Sequence, residues 1–356
     1  MKRRPGPWLL LLLALAPAWG EAAEVLYLYN WNNYISEHTA RRFEARCGCI
    51  LKQDYYSDNE EMLAKLDAGA EGYDLLVPTG NAVEALIRRG VLRPLEPSAL
   101  PHLANIQARY RNPWYDPGNR YSVPYATTVT LIGYNEEKLR ALGLPTDTWA
   151  LIFEPRYLEK LKGKVTVLNS QRELMAAAMK YLGHSVQDPD PARWSAAKDL
   201  ILRAKPYWAT FSNSTYIKDL AIGNIWVAHG YSNDMWRAKE DARTAGRPFA
   251  VGFAMPKEGA VLAVDSFVLH RSGRRPDLAL QFIDFMLEGE NAADVSNLIG
   301  AGNPNAAALA HIRPEVAANP GIFPPPQDLG RLEMLRDFDP VRRRRLSRLW
   351  TEIKVK

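Results

Sequence analysis

Apolar and polar positions along the chain change period in a regular order. Val25-Leu-Tyr-Leu-Tyr29 is a short continuous apolar run, the pattern of a strand covered on both faces. Ser36 can cap a following helix that turns Ala40 and Phe43 inward and stops at Gly48. Ile50 to Tyr56 predicts a second strand. Ser57-Asp-Asn-Glu60 has the spacing of a capping box and opens a helix that buries Met62, Leu63 and Leu66 before Gly69. Tyr73 to Val77 reads as a third strand closed by Pro78, and another short helix runs to Gly90. Strands alternating with helices through short links predict an α/β fold built on a parallel, doubly wound sheet. Ligands of such sheets sit beyond the carboxyl ends of the strands, here the loops 30–34 and 78–81.

The pattern continues through the rest of the chain. Pro101 to Asn119 is rich in proline, asparagine and aromatic residues and reads as surface loop. Thr127 to Tyr134 is β-branched and apolar, a strand. Further strands are expected at 164–168, 225–228, 249–254 and 261–269, with helices around 173–182, 192–202 and 277–287. The proline-rich stretch 319–327 predicts an extended surface connection. Arg342 to Arg345 predicts a solvated basic helix face.

The first residues have a different character. Lys2, Arg3 and Arg4 precede an uncharged apolar run from Trp8 to Trp19, and Ala18-Trp19-Gly20 carries small residues at the two positions a signal peptidase reads. The run is shorter than the roughly 20 residues a bilayer span needs. Residues 1–20 are therefore expected to be a secretory signal, with cleavage after Gly20 and Ala22 as the alternative. No cysteine nearby could carry a lipid, so the mature chain is expected to be a free periplasmic protein, not embedded in a membrane. Removing the signal takes away three positive charges and lowers the formal net charge from +5 to +2. That near-neutral balance gives no electrostatic reason to expect nucleic acid.

Two cysteines, Cys47 and Cys49, are separated by one glycine. An oxidising compartment permits a disulfide, but the loop would be very small. The reading preferred here is a helix-end thiol at Cys47 and a small buried residue at Cys49. Two such residues cannot complete a tetrahedral metal site.

Catalytic patterns are absent from the sequence. None of the six histidines, His38, His102, His184, His229, His270 and His311, has an acid or second histidine at metal-ligand spacing. No glycine-rich phosphate loop occurs. Gly230-Tyr-Ser232-Asn-Asp234 begins like a hydrolase nucleophile elbow, but Asp234 replaces the second glycine, where a side chain obstructs the tight turn. These absences favour binding over catalysis, with no metal or cofactor.

Several stretches carry a resemblance: Leu28-Tyr-Asn-Trp-Asn-Asn-Tyr-Ile35, Tyr73-Asp-Leu-Leu-Val-Pro78, Pro124 with Ile132-Gly-Tyr-Asn135, Tyr216-Ile-Lys-Asp-Leu-Ala-Ile-Gly-Asn224, Met255-Pro-Lys-Glu-Gly259, Asn319-Pro-Gly-Ile-Phe-Pro324 and Trp350-Thr. In this order and spacing the chain resembles the periplasmic putrescine- and spermidine-binding proteins of bacterial ABC importers. The resemblance implies a two-lobed periplasmic binding protein of type II-like architecture, each lobe a mixed sheet flanked by helices. Lobe 1 is expected at 21–128 plus 264–300, and lobe 2 at 129–263 plus 301–356. Crossings are expected near 126–131, 261–267 and Ala301. The ligand would lie between the lobes, which close on it by a hinge. A small cationic amine, an ABC permease partner and a monomeric state are implied; the alternatives are another solute class, such as an amino acid, or a sensor that serves no transporter.

A polyamine binder needs aromatic walls for methylenes and ammoniums, and carboxylates at fixed separation. The resemblance places Trp31, Asn32 and Tyr34 after the first strand, Thr79 and Asn81 after the third, and the acids Glu173, Asp234 and Asp265 in the site. Ordinary packing, helix capping or a solvated first-turn acid would be the plain readings of these residues. Four positions depart from the family. Asn33 stands where it has an acid, Tyr231 where it has tryptophan, and Ala263 and Ala301 where it has large aromatics. A buried ammonium without its carboxylate costs roughly 3–5 kcal/mol, and two alanines for two aromatics should enlarge the cavity. A longer or bulkier amine than putrescine, or one with a neutral end, is therefore expected.

Overall fold

The computed structural model describes residues 23–356. The expected signal segment and its cleavage site lie outside the described residues. Among the described residues, no helix is long and apolar enough to cross a membrane.

Eleven strands, counted among the described residues, form a continuous mixed sheet: β1 (Val25–Trp31), β2 (Ile50–Tyr56), β3 (Leu75–Leu76), β4 (Leu92–Arg93), β5 (Ser122–Asn135), β6 (Val165–Val167), β7 (Thr210–Phe211), β8 (Val227–Tyr231), β9 (Val251–Ala254), β10 (Ala260–His270) and β11 (Leu332–Glu333). The strand order is β2-β1-β3-β10-β5-β8-β6-β7, with β4 and β11 also pairing β10 and β9 pairing β5. β1 is parallel to β2 and β3, and β6 is parallel to β7 and β8. β10 and β5 run antiparallel to each other and join these two parallel groups.

β5 makes the transition. Its residues 122–129 pair with β10, and residues 130–134 pair with β8. Thr127 also bridges Gly302. The three crossing segments expected near 126–131, 261–267 and Ala301 thus lie side by side. The fold is a two-lobed α/β architecture, with a mixed half-sheet in each lobe and helices against it.

The cores follow this division. One apolar cluster runs from Leu26 to Ala126 and from Phe267 to Ala301, and includes the edge-to-face pair Phe43–Phe282, centroids 4.8 Å apart. The larger cluster runs from Val129 to Ala260 and from Ala292 to Ile353, around Trp149, Phe153 and Trp194. Edge-to-face packing of aromatic rings adds about 0.5–1.5 kcal/mol per pair beyond area burial.

Local signals explain the helices that matter for the site. Ser36 caps the helix Glu37–Cys47 by accepting from the Thr39 N–H, and Gly48 ends it at φ 63°, where a side chain would be strained. The capping box of the next helix, Asn59–Asp67, is shifted by one residue from its expected place. Asp58 is the cap and accepts from the Glu61 N–H, while the Glu61 carboxylate accepts from Ser57. Asp58 competes for the role because its carboxylate also complements the helix dipole.

Other expectations need correction. Cys47 and Cys49 are joined in a disulfide; the helix end at Gly48 turns the chain so that their Cα atoms lie 5.2 Å apart, within bridging range. The 101–119 segment is not simple surface loop: it winds through short 3₁₀ turns and buries Ile106 and Tyr115. The 319–327 connection buries Ile322 and enters a helical turn at Pro326–Leu329. The basic run is only partly a solvated face. Arg342 lies over the Phe338 ring at 4.0 Å and donates to the Asp188 carbonyl, and Arg343 pairs with Asp337 at 3.2 Å.

Candidate functional site

The site begins at the carboxyl end of β1. Trp31 is half-buried there, its indole N–H donating to the Val77 carbonyl at 2.9 Å and its ring 4.6 Å from that of Tyr56. Tyr34 follows after a turn and is buried, its ring 6.2 Å from Trp31. Between them Asn32 and Asn33 are exposed, and Asn33 takes φ 61°, a left-handed turn position that asparagine tolerates. These two residues, which the resemblance places in the site, therefore lie on a solvent-facing rim.

Asp265 on β10 is the centre of the first-lobe face. It is 3 % exposed, and both its oxygens accept hydroxyl hydrogens: Oδ1 from Thr79 at 2.6 Å and Oδ2 from Tyr34 at 2.9 Å. A register shift between Asp265 and Ser266 interrupts the β10–β5 pairing at this point. Such irregularities re-aim a side chain out of the regular pleat. Thr79 occupies the cap position of the helix Gly80–Arg89, but its side chain serves Asp265 and does not cap. Asn81 is buried in the first turn of that helix.

The other two acids come from helix N-termini in the second lobe. Glu173 lies in the first turn of Gln171–Tyr181, where Ser170 accepts its N–H. The Glu173 carboxylate is buried and accepts from the Thr130 hydroxyl at 2.7 Å, so it is not a solvated first-turn acid. Asp234 lies in the first turn of Ser232–Thr244, half-buried, and accepts from the Tyr216 hydroxyl. Tyr231 ends β8 opposite Thr130 and precedes this helix. Ser232, the elbow-like serine, is fully buried and its Oγ accepts the Val129 N–H.

Electrostatics tie these groups together. Burial raises the Glu173 carboxyl to about 7, against the opposing hydrogen bond from Thr130. Burial raises Asp234 and Asp265 each to about 6, and the hydroxyl donors pull the other way. The Tyr231 phenol is pushed well above its ordinary value by burial first, then by the charges of Glu173, Asp234, Glu60 and Asp265. All three site acids thus act on one ring. Among the described residues, no Lys, Arg or His forms an ion pair with any of the three.

Trp31, Tyr34, Thr79, Glu173, Tyr231, Asp234 and Asp265 are therefore brought together, Asn81 stands next to them, and Asn32 and Asn33 flank them. The residues that sequence reading missed are hydroxyl partners: Tyr216, Thr130 and Tyr56, whose phenol donates to the Val77 carbonyl at 2.5 Å. Ala263, two residues before Asp265 and on the same face of β10, is half-buried. Ala301 is fully buried in the core, and the Trp236 side chain packs against the neighbouring Gly300. Ala301 is thus enclosed by its neighbours and presents no exposed surface.

The lobes also meet beside the acids. Arg172 donates to Glu60 at 3.2 Å and to the Arg336 carbonyl at 3.1 Å. The Asp337 N–H donates to Glu84 at 2.8 Å, and Arg88 pairs with the Asp337 carboxylate. The Arg336 guanidinium lies 5.0 Å from the Trp114 ring centroid.

Two half-sheets joined by crossing strands, each carrying buried or half-buried acids whose charges reach Tyr231, define a solute receptor. Residues 38–324 match the family described as bacterial extracellular solute-binding protein, and the chain belongs to it. It is a periplasmic solute-binding protein, not an enzyme. It is 55% identical over 348 residues to a putrescine/cadaverine-binding protein of Pseudomonas aeruginosa, covering 98% of each chain. It is 36% identical to the putrescine-binding periplasmic protein PotF of Escherichia coli, covering 93% of this chain and 91% of that one. The substrate-binding protein PotD of a Streptococcus pneumoniae spermidine/putrescine ABC transporter has the same fold, with a TM-score of 0.81 at 23% identity over 93% of this chain and 99% of that one.

Proposed function

We propose that this protein captures a linear, cationic amine between its lobes and presents it to an ABC permease. The observation that carries the reading is the set of three withdrawn carboxylates, Glu173, Asp234 and Asp265, whose hydrogen-bond partners are neutral hydroxyls. Withdrawn carboxylates with no ion-pair partner among the described residues are costly. A dicationic guest supplies the countercharge, and Trp31, Tyr34 and Tyr231 supply walls for its methylenes. Each cation–ring contact adds about 0.5–2 kcal/mol and each hydrogen bond to a charged group about 1.5–3 kcal/mol. The acids therefore set affinity for amines over neutral solutes, and the rings set shape.

The lobes are taken as 21–128 plus 264–300 and 129–263 plus 301–356. A ligand touching acids of both lobes favours the closed form by as much as it prefers that form over the open one. The aromatic deficit at Ala263 leaves room for a chain longer than putrescine, as the name of the Pseudomonas relative, which includes cadaverine, also suggests. Calorimetry of the mature protein with putrescine, cadaverine, spermidine, agmatine and basic amino acids tests the reading. Micromolar or tighter binding of at least one amine is expected; a panel with no amine binder would sink it.

A further inference from the structure

Tyr216 lies outside the walls of the cleft, in the helix Thr215–Ala221, and is fully buried. Its ring reaches Asp234 because position 230 is glycine: a Cβ there would come within 2.6 Å of the Tyr216 ring. The phenol hydrogen goes to Asp234 Oδ2, which leaves Oδ1 with only a 3.5 Å approach from the Asn233 amide. Gly230, Tyr216 and Asp234 thus form a chain in which a missing side chain makes room for a hydroxyl that fixes a carboxylate.

We infer that Tyr216 is a positioning residue of the binding site, holding the Asp234 carboxylate ionised and turned so that Oδ1 meets one ammonium of the guest. The inference rests on the cationic-amine reading above. A phenol that donates to Oδ2 stabilises the anion over the acid and removes the rotational freedom the carboxylate would otherwise lose when ligand binds. The titratable groups around Asp234 reinforce the need for such a donor. Tyr231 at the end of β8 is itself under the influence of Glu173 and Asp265, and Tyr34 across the cleft feels the Asp234 charge. Arg237 on the same helix is engaged with Asp241 at 2.8 Å. The phenol hydrogen is thus the close hydrogen bond this carboxylate receives among the described residues, and it opposes the rise that burial imposes.

The test uses Tyr216→Phe in the full mature chain, with amine affinity measured by calorimetry from pH 6 to pH 9. Affinity is expected to fall about tenfold or more at pH 7, with the loss shrinking as the pH rises and the acid limb of the profile moving to higher pH. In an Asp234→Asn background the same substitution is expected to add no further loss. A pH-independent loss, or a loss that persists in the Asp234→Asn background, overturns the inference and leaves Tyr216 as core packing. Carbon-13 NMR of the ligand-free wild type gives a second readout that needs no variant: the Tyr216 Cζ resonance is expected to shift with the same midpoint as the Asp234 carboxyl. Independent midpoints overturn the inference. If no amine binds the wild type, the receptor reading fails, while the NMR titration still decides whether Tyr216 controls Asp234.

Discussion

The Tyr34 hydroxyl donates to Asp265 Oδ2 at 2.9 Å, joining residues 231 positions apart in the chain. With Thr79 on the other oxygen, it fixes a carboxylate that, among the described residues, forms no ion pair with Lys, Arg or His. Asp265→Asn keeps the shape and removes the charge. Affinity for a cationic amine is expected to fall about 30- to 5,000-fold, the range for truncating one partner of a buried charged pair, while the thermal midpoint of the unliganded protein holds or rises. Calorimetry and thermal melts on the same samples check both halves of this statement.

The three raised acids set the pH response. Each folded-state value lies above the ordinary carboxyl range, so the folded protein holds more protons than the unfolded chain between about pH 4 and pH 7. Their contribution to stability is fully present below the unfolded values and is lost as the pH rises through about 6 to 7. A cationic ligand works in the opposite sense, since it prefers the ionised acids. The thermal shift produced by saturating amine is therefore expected to be larger at pH 8 than at pH 5; equal shifts would show that these acids do not meet the ligand.

The direct contacts between lobes give a different signature. Glu84 and Arg88 reach Asp337 from the opposite lobe. Removing both, as Glu84→Ala with Arg88→Ala, leaves the acids and rings of the cleft in place and shifts the balance toward the open form. Apparent affinity falls with the fraction of competent molecules, so every amine is expected to lose the same factor, about 2- to 30-fold for two contacts of about 0.2–1 kcal/mol each. A change in the ranking of ligands would place these residues in the pocket instead.

Ala263 faces the same side of β10 as Asp265, and a large side chain there takes up the room it leaves. Ala263→Trp is expected to weaken spermidine more than putrescine by about 5- to 150-fold, the range of overpacking costs. A competition series with amines of increasing length measures the difference.

Much of the first lobe was legible because its signals are local. The apolar run of β1, the cap at Ser36 and the stop at Gly48 act over a few residues, and the structure keeps all three. The acids were legible from the resemblance. Their partners were not: Thr130 meets Glu173 and Tyr216 meets Asp234 only through strand register and helix packing, which no period along the chain encodes. The Cys47–Cys49 bridge was missed for a related reason, since spacing alone does not show how Gly48 directs the two flanking side chains.

The strand that flanks β3 arrives late. β10 is synthesised only after β5 to β9, so the N-terminal half-sheet lacks its central neighbour until most of the chain exists. Early segments of such a topology stay without their native partners during synthesis, because non-local pairing pays its loop-closure entropy before any contact rewards it. The same arrangement means that neither lobe can be obtained by cutting the gene at a single point.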